Sequence, residues 1–487
     1  MAKLVNVNLK EGSQATNDIS NEPPLTSDQE KEVINENLSV GVNIRVVKAM
    51  TATDRPGSCS EVKFLWPYSV NHNNCCIYRV PCGLRSVNPE AYTPQMLLIG
   101  PLHHYKKAQA VELSKTDVRY MYYNKMELHK KKYLENIALT YGKQTVEEFR
   151  SIIKRDEQFI RACYAEPTDS INSNDFVEMM LHDSVFILVF FMHIGPRYID
   201  KTGDFLFDEP CYQYTIFGDL ILLENQLPYT LLESLFEPFY AKFEGNITFR
   251  DIILQGFGIQ GKVTRDKRFL HFTDLRRLVL VQTLGLTEEE QINAKLVRKE
   301  SIARLRNAEM LNSAGVEFEC SEEEASLMIK FERGILTMPC FKAEDATERV
   351  FRSIMALEQC HYHYTAFVCN YIDFLDCLID TESDVDLLVN KGIIKNWLGR
   401  RGPIEEMVNR LSLEIVDEGC HYYDISERLN NHYENSFNRT VATLRRVYFK
   451  DLWTGTAHVV AFFLLVLTLI GTVASVLQVT QKDNSPP

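Results

Sequence analysis

The sequence predicts a mainly helical globular body with a small antiparallel β-sheet insert, plus one C-terminal transmembrane helix. Three observations carry this fold class. Apolar residues recur at helical spacing through most of the chain, one short stretch alternates with period two, and one run near the C-terminus is apolar on every side.

The bulk properties bound the rest. With 487 residues, 45% hydrophobic and 24% charged, the chain has globular composition and enough length for a sizeable core. A net charge of −13 supplies no basic stripe for a phosphate backbone, so nucleic acid is excluded as a partner. Twelve cysteines, with Cys75 and Cys76 adjacent, suit free thiols in a reducing compartment better than a disulfide framework. Met1 to Lys10 holds no apolar run of signal-peptide length.

Three regions follow. Residues 1–70 lack sustained periodicity and are rich in Asn, Ser, Glu and Pro, which predicts a poorly ordered arm. Residues 71–450 form the helical body. Pro94, Gly100 and Pro101 predict extended and turning chain between Ala91 and Leu102. Lys115 to Ala138 reads as a long helix with Met126, Tyr133 and Ile137 inward and Lys130-Lys131-Lys132 as a solvated face. Further helices are expected at Val146–Tyr164, Asp175–Met192 and Phe217–Phe236, the last bent or broken at Pro228. Thr287 with Glu290, Asp345 with Glu348 and Ser383 with Asp386 read as capping pairs, opening helices that end near Gly315, Cys360 and Gly392. Between the first two lie three strand candidates, at Val316–Cys320, Leu327–Phe331 and Ile335–Pro339, with a turn at Glu332-Arg333-Gly334.

Residues 451–487 hold the anchor. Val459 to Val479 is 21 residues with no formal charge, long enough to cross a hydrocarbon core. A helix buried in a soluble core is the alternative, but such helices seldom stay apolar all round for six turns. Arg445, Arg446 and Lys450 precede it and only Lys482 follows, which places the body in the cytosol. Gly471 and Ser475 lie one turn apart and admit a homo-oligomer through close helix approach. Val185–Met192, cut off by Asp183 and Arg197, is too short to span and reads as a core helix.

No complete catalytic constellation is present. Gly256-Phe-Gly-Ile-Gln-Gly-Lys-Val263 matches a glycine-rich phosphate loop, but a kinase would need Ala-x-Lys, His-Arg-Asp and Asp-Phe-Gly elements that are missing. A dinucleotide fold would need a strand before the glycines and an amphipathic helix after them, so a plain loop is expected. Cys360, His361, His363, Cys420 and His421 offer zinc-ligand chemistry without paired ligand spacing, so no metal and no cofactor are assigned. His103 and His104 read as structural. Glu224-Asn225-Gln226 sits between apolar Leu220–Leu223 and Leu227-Pro228, where buried polar groups must be hydrogen-bonded, so a structural network is expected there rather than a general acid or base.

Seven ordered blocks carry a resemblance. Ile77-Tyr-Arg79-Val-Pro81 with Asn88 and Ala91-Tyr-Thr-Pro94, then Ile99-Gly100-Pro101-Leu-His103-His104, Met126–Lys130 with Tyr133-Leu134, and Arg161–Tyr164 come first. Leu223-Glu-Asn-Gln-Leu-Pro228, Glu358-Gln359-Cys360 and Gly392–Asn396 with Leu398-Gly399 complete them. Together they resemble the plant family called domain of unknown function 247. The resemblance implies a plant protein, a helical fold, a C-terminal membrane segment and no reaction. Some grass members are implicated in self-incompatibility, so it favours recognition. Two positions depart from the family pattern: Val189 stands where an acidic residue is usual, and Tyr448–Trp453 lacks a proline.

The combined expectation is a non-enzymatic, membrane-tethered recognition or signalling adaptor with protein partners and a lipid bilayer around Val459 to Val479, at the plasma membrane in preference to endomembranes. The competing reading is a hydrolase or transferase using Glu224 with His103 or His104.

Overall fold

The computed structural model describes residues 74–194, 203–240, 247–259, 261, 263, 267–287, 289–291, 300–302, 305–448 and 452–483. These fall in one compact unit that begins at Tyr68. The predicted arm lies outside the described residues.

The first half is helical: α1 (Cys82–Val87), α2 (His104–Leu113), α3 (Val118–Tyr141), α4 (Lys143–Arg155), α5 (Glu157–Ala162), α6 (Ser173–Ile194), α7 (Phe205–Asp208), α8 (Pro210–Leu220), α9 (Tyr229–Tyr240), α10 (Phe249–Gly256) and α11 (Phe272–Val281). Helix α6 forms its centre, and every residue from Asp183 to Phe191 is buried. Phe186 stacks on Tyr133 of α3, while Phe191 meets Phe217, Phe257 and Phe272. Each such ring contributes about 1.5–3 kcal/mol by burial. Gly256 is glycine for this reason: a Cβ there would stand 2.8 Å from the Phe191 ring. The glycine-rich string therefore opens at the end of a helix, not after a strand.

The predicted helix over Val146–Tyr164 is two helices that break at Asp156, and the one over Phe217–Phe236 is interrupted between Leu220 and Tyr229. Lys130 corrects the solvated-face reading of the lysine triple. It falls on the same stripe as Met126, Tyr133 and Ile137 and is fully buried.

The second half begins with α12 (Ala308–Ser313), followed by strands β1 (Glu317–Glu324), β2 (Lys330–Glu332) and β3 (Ile335–Ala343). Then come α13 (Thr347–His361), α14 (Phe367–Leu378), α15 (Glu382–Asn390), β4 (Ile394–Asn396), α16 (Gly402–Leu411), α17 (Tyr423–Glu434), α18 (Ser436–Tyr448) and α19 (Leu452–Asp483). Strand β3 pairs with all three others. The β2–β3 hairpin is antiparallel as expected, but β1 and β4 run parallel to β3, so the sheet is mixed. The chain reverses into β2 and again into β3, which returns β3 to the direction of β1 on its other side.

Two capping pairs differ from expectation. Thr381 with Asp384 caps α15, because Asp384 is buried and also accepts Glu309 N at 2.9 Å, whereas Asp386 pairs with Arg401. Helix α13 starts at Thr347, and Glu348 bonds Arg352 and Asn88 instead of capping. Thr287 and Glu290 do make the predicted reciprocal bonds, but residues 305–307 are not helical, so no single helix reaches Gly315.

One core gathers α3–α6 and α8–α11, and a second gathers the sheet with α13–α17. Between them Val80, Leu84, Tyr92 and Leu223 pack on Ala356 and Leu357 of α13. Among the described residues two helices are long and apolar enough to cross a membrane. The apolar window of α6 is 67% buried, as the core-helix reading requires, whereas Val459–Gln478 of α19 is 0% buried at a mean hydropathy of 2.6. At 1.5 Å per residue its 20 residues span about 30 Å, one bilayer core.

Candidate functional site

Between Gln95 and Gly100 an irregular segment runs through the interior without a neighbouring strand, and nearly all of it is buried. Buried backbone groups need partners. Here side chains supply them. Asp219, near the end of α8, accepts Gln95 N, Met96 N and Leu97 N at 2.8, 2.8 and 2.9 Å. Asn225 accepts Ile99 N at 2.6 Å and donates to Leu97 O at 3.0 Å. Asp183 of α6 accepts Gly100 N at 2.8 Å, and Lys130 of α3 donates to Leu98 O. Gly100 has φ +78°, and a Cβ there would lie 2.8 Å from Gln226 O, so only glycine fits. Pro101 then opens a 3-10 turn, where its missing N–H leaves no donor to be satisfied.

The interruption between α8 and α9 is the other half of this clamp. Gln226 donates to Leu220 O and Leu222 O at 2.6 and 2.8 Å and accepts Phe272 N at 2.9 Å. Tyr164 closes it by donating to Gln226 O at 3.0 Å. Pro228 sets the turn into α9, where Tyr229 N reaches Leu270 O. Glu224 accepts Val80 N at 2.7 Å beside Pro81, the residue preceding α1.

The charges explain how this interior tolerates ions. Asp183 is buried between Lys107 and Lys130, with Lys130 at 2.7 Å. Burial alone would raise its pKa, but the two ammonium groups hold it below the usual carboxylate range. Asp219 goes the other way, since burial outweighs three N–H donors and Arg349. Glu358 of α13 is likewise raised by burial, against the opposing pull of Arg277 at 2.9 Å and the amides of Val368 and Cys369. Gln359 joins α13 to Val416 through two backbone bonds. Cys360 is pushed up to about 11 by burial and Cys75, so its thiol stays protonated at neutral pH.

The predicted polar network at Glu224-Asn225-Gln226 is thus a clamp on chain ends far apart in sequence. Lys130, Asp183, Asp219 and Arg349 belong to it and were not assigned to it from sequence. A charge at or inside an apolar stretch was the signal for Asp183 and Asp219. The competing catalytic pairing is not assembled: Glu224 is bonded to Val80 and faces Arg79 and Arg85, and both His103 ring nitrogens lack a hydrogen-bond partner. His104 lines a separate hollow of about 190 Å³ with Glu127 and His182. A hollow of about 600 Å³ is lined by His129, Tyr133, His193 and Asp204 and holds none of the sequence candidates. Among the described residues no group of three His, Cys, Asp or Glu is placed to hold a metal.

Two buried imidazoles give a pH dependence. Burial pushes His271 down to about 4 and His103 well below its ordinary value. Both are neutral when folded, while the unfolded chain takes up protons near pH 6.5. Their contribution is therefore complete above about pH 6.5 and lost as pH falls toward 4, at about 1.4 kcal/mol per pH unit per group. The expected result is a fall in melting temperature from pH 7 to pH 5 that is shallower in His103→Leu. Equal slopes in the two proteins would refute the assignment for His103.

Fold and clamp together define a two-core helical protein whose internal polar residues tie irregular backbone and whose last helix is apolar on all sides. The chain belongs to the plant family DUF247, described as plant protein of unknown function, whose model matches residues 77–467. It is 25% identical to UPF0481 protein At3g47200 of Arabidopsis thaliana over 435 residues, which cover 84% of this chain and 88% of the relative. It is also 26% identical to putative UPF0481 protein At3g02645 of the same plant, over 32% of this chain and 30% of that one. No solved structure matches.

Proposed function

We propose that this protein is a membrane-tethered recognition or signalling adaptor, with its body in the cytosol and α19 crossing the plasma membrane. One observation carries the reading: Glu224, Asn225, Gln226, Glu358 and Gln359, the polar residues that stand out in the sequence, are engaged by the chain's own backbone. Groups held in this way build a rigid body and present no paired acid and base to a substrate. An exposed apolar helix of spanning length supports the tether.

The orientation rests on Arg445, Arg446 and Lys450 before the span. A cytosolic body leaves the sequons at Asn37, Asn246 and Asn438 bare, and a tag at Met1 open to protease on sealed vesicles. Glycosidase-sensitive mobility together with a protected tag would reverse the topology. Recognition itself is tested by proximity labelling in plant cells, with α19 fused to a reporter as control. An adaptor labels a partner set that the reporter lacks; identical sets would leave only membrane proximity and sink the reading.

A further inference from the structure

The N-terminus of α2 gathers more positive charge than the clamp needs. Arg79 is held by Glu166 through bonds of 2.6 and 2.7 Å, and its Nη1 also lies 3.6 Å from Glu224. Arg85 Nη2 pairs with Glu224 Oε1 at 2.6 Å, off the direction of a hydrogen bond. Oε1 already accepts Val80 N. Lys106, in the first turn of α2, feels Glu224, Arg85 and Arg79, is half-desolvated and makes no ion pair among the described residues. With the Arg119–Glu90 pair that also acts on Lys106, four cations therefore face three carboxylates, Glu90, Glu166 and Glu224.

The second observation is His103, the residue that precedes α2. Its ring is buried, neither nitrogen has a hydrogen-bond partner, and the charges acting on it are Lys106, Lys107, Arg79 and Arg85. No side chain caps α2. A buried imidazole lacking any hydrogen-bond partner forfeits about 1–3 kcal/mol until one arrives. Cations and a ring N–H demand the same partner, an anion with several acceptor oxygens.

We propose that Arg79, Arg85, Lys106 and His103 form a binding site for a phosphate monoester at the N-terminus of α2. The Arg85 fork and Lys106 ammonium neutralise the dianion, and His103 donates one ring N–H. Arg79, fixed by Glu166, marks the open rim, with 44% of its side chain exposed. The site is independent of the tether and of the adaptor reading.

The test is calorimetry and thermal unfolding of the full-length protein in detergent micelles. The probes are inorganic phosphate and glycerophosphoinositol 4-phosphate, each against potassium chloride at matched ionic strength. Saturable binding with a rise in melting temperature is expected. Lys106→Gln, which breaks no bond in the free protein, weakens it about tenfold, as does His103→Leu. A headgroup that binds at lower concentration than inorganic phosphate identifies a lipid source, and equal affinities identify a free phosphate. A phosphate effect no larger than that of chloride, or unchanged binding in both variants, overturns the site.

Discussion

Asp219→Ala is expected to destabilise the body by at least about 4 kcal/mol. The substitution removes the acceptor of three consecutive backbone amides, Gln95, Met96 and Leu97, and the partner of Arg349 at 3.1 Å. Two of those amides are buried, and each stranded donor costs about 1–3 kcal/mol. Leaving Arg349 without its carboxylate adds to this. Total stabilities are about 5–15 kcal/mol, so the variant is expected near or past its unfolding threshold at 37 °C. Asp219→Asn retains one acceptor oxygen and should lose about half as much. Urea unfolding of the full-length protein in detergent reads both. A change below about 1 kcal/mol in Asp219→Ala would mean that the Gln95–Gly100 segment is held by something other than this carboxylate.

The second large effect is on partitioning. Deleting Val459 to Val479 should move the protein from the membrane pellet to the supernatant, and the same segment should carry a soluble reporter to membranes. Thirteen Val, Leu, Ile and Phe residues lie between Val459 and Gln478, together favouring insertion by about 4–8 kcal/mol. That helix leaves its apolar side chains uncovered by the body, so no internal packing is lost on removal. Association that survives both the deletion and alkaline carbonate would refute the anchor.

The limits of the sequence reading follow particular residues. Asp183 and Lys130 were visible as a charge bounding an apolar run and as one lysine of three, but nothing local says that they meet 2.7 Å apart, 53 positions distant. The stripe Met126, Lys130, Tyr133, Ile137 did place Lys130 inward, and only its charge argued for solvent. The capping pair at Ser383 and Asp386 failed because Thr381 and Asp384 satisfy the same pattern and gain a further bond to Glu309. For β1, propensity located the strand, while its parallel pairing depended on β2 lying across β3, a non-local choice.

By itself the sequence determined the helical class, the interruption at Pro228, the polar network at Glu224-Asn225-Gln226, the hairpin at Arg333-Gly334 and the one uncovered apolar helix. Each is written in local periodicity, backbone geometry or the length of an apolar run, which act within a few residues of one another. Only the tertiary structure decided which backbone the network clamps, that Lys130 and Asp219 are interior charges, that Glu224 and His103 do not pair, and that cations collect at the start of α2. Those outcomes depend on groups brought together from distant parts of the chain, and the energy of a buried charge is set by what surrounds it in space.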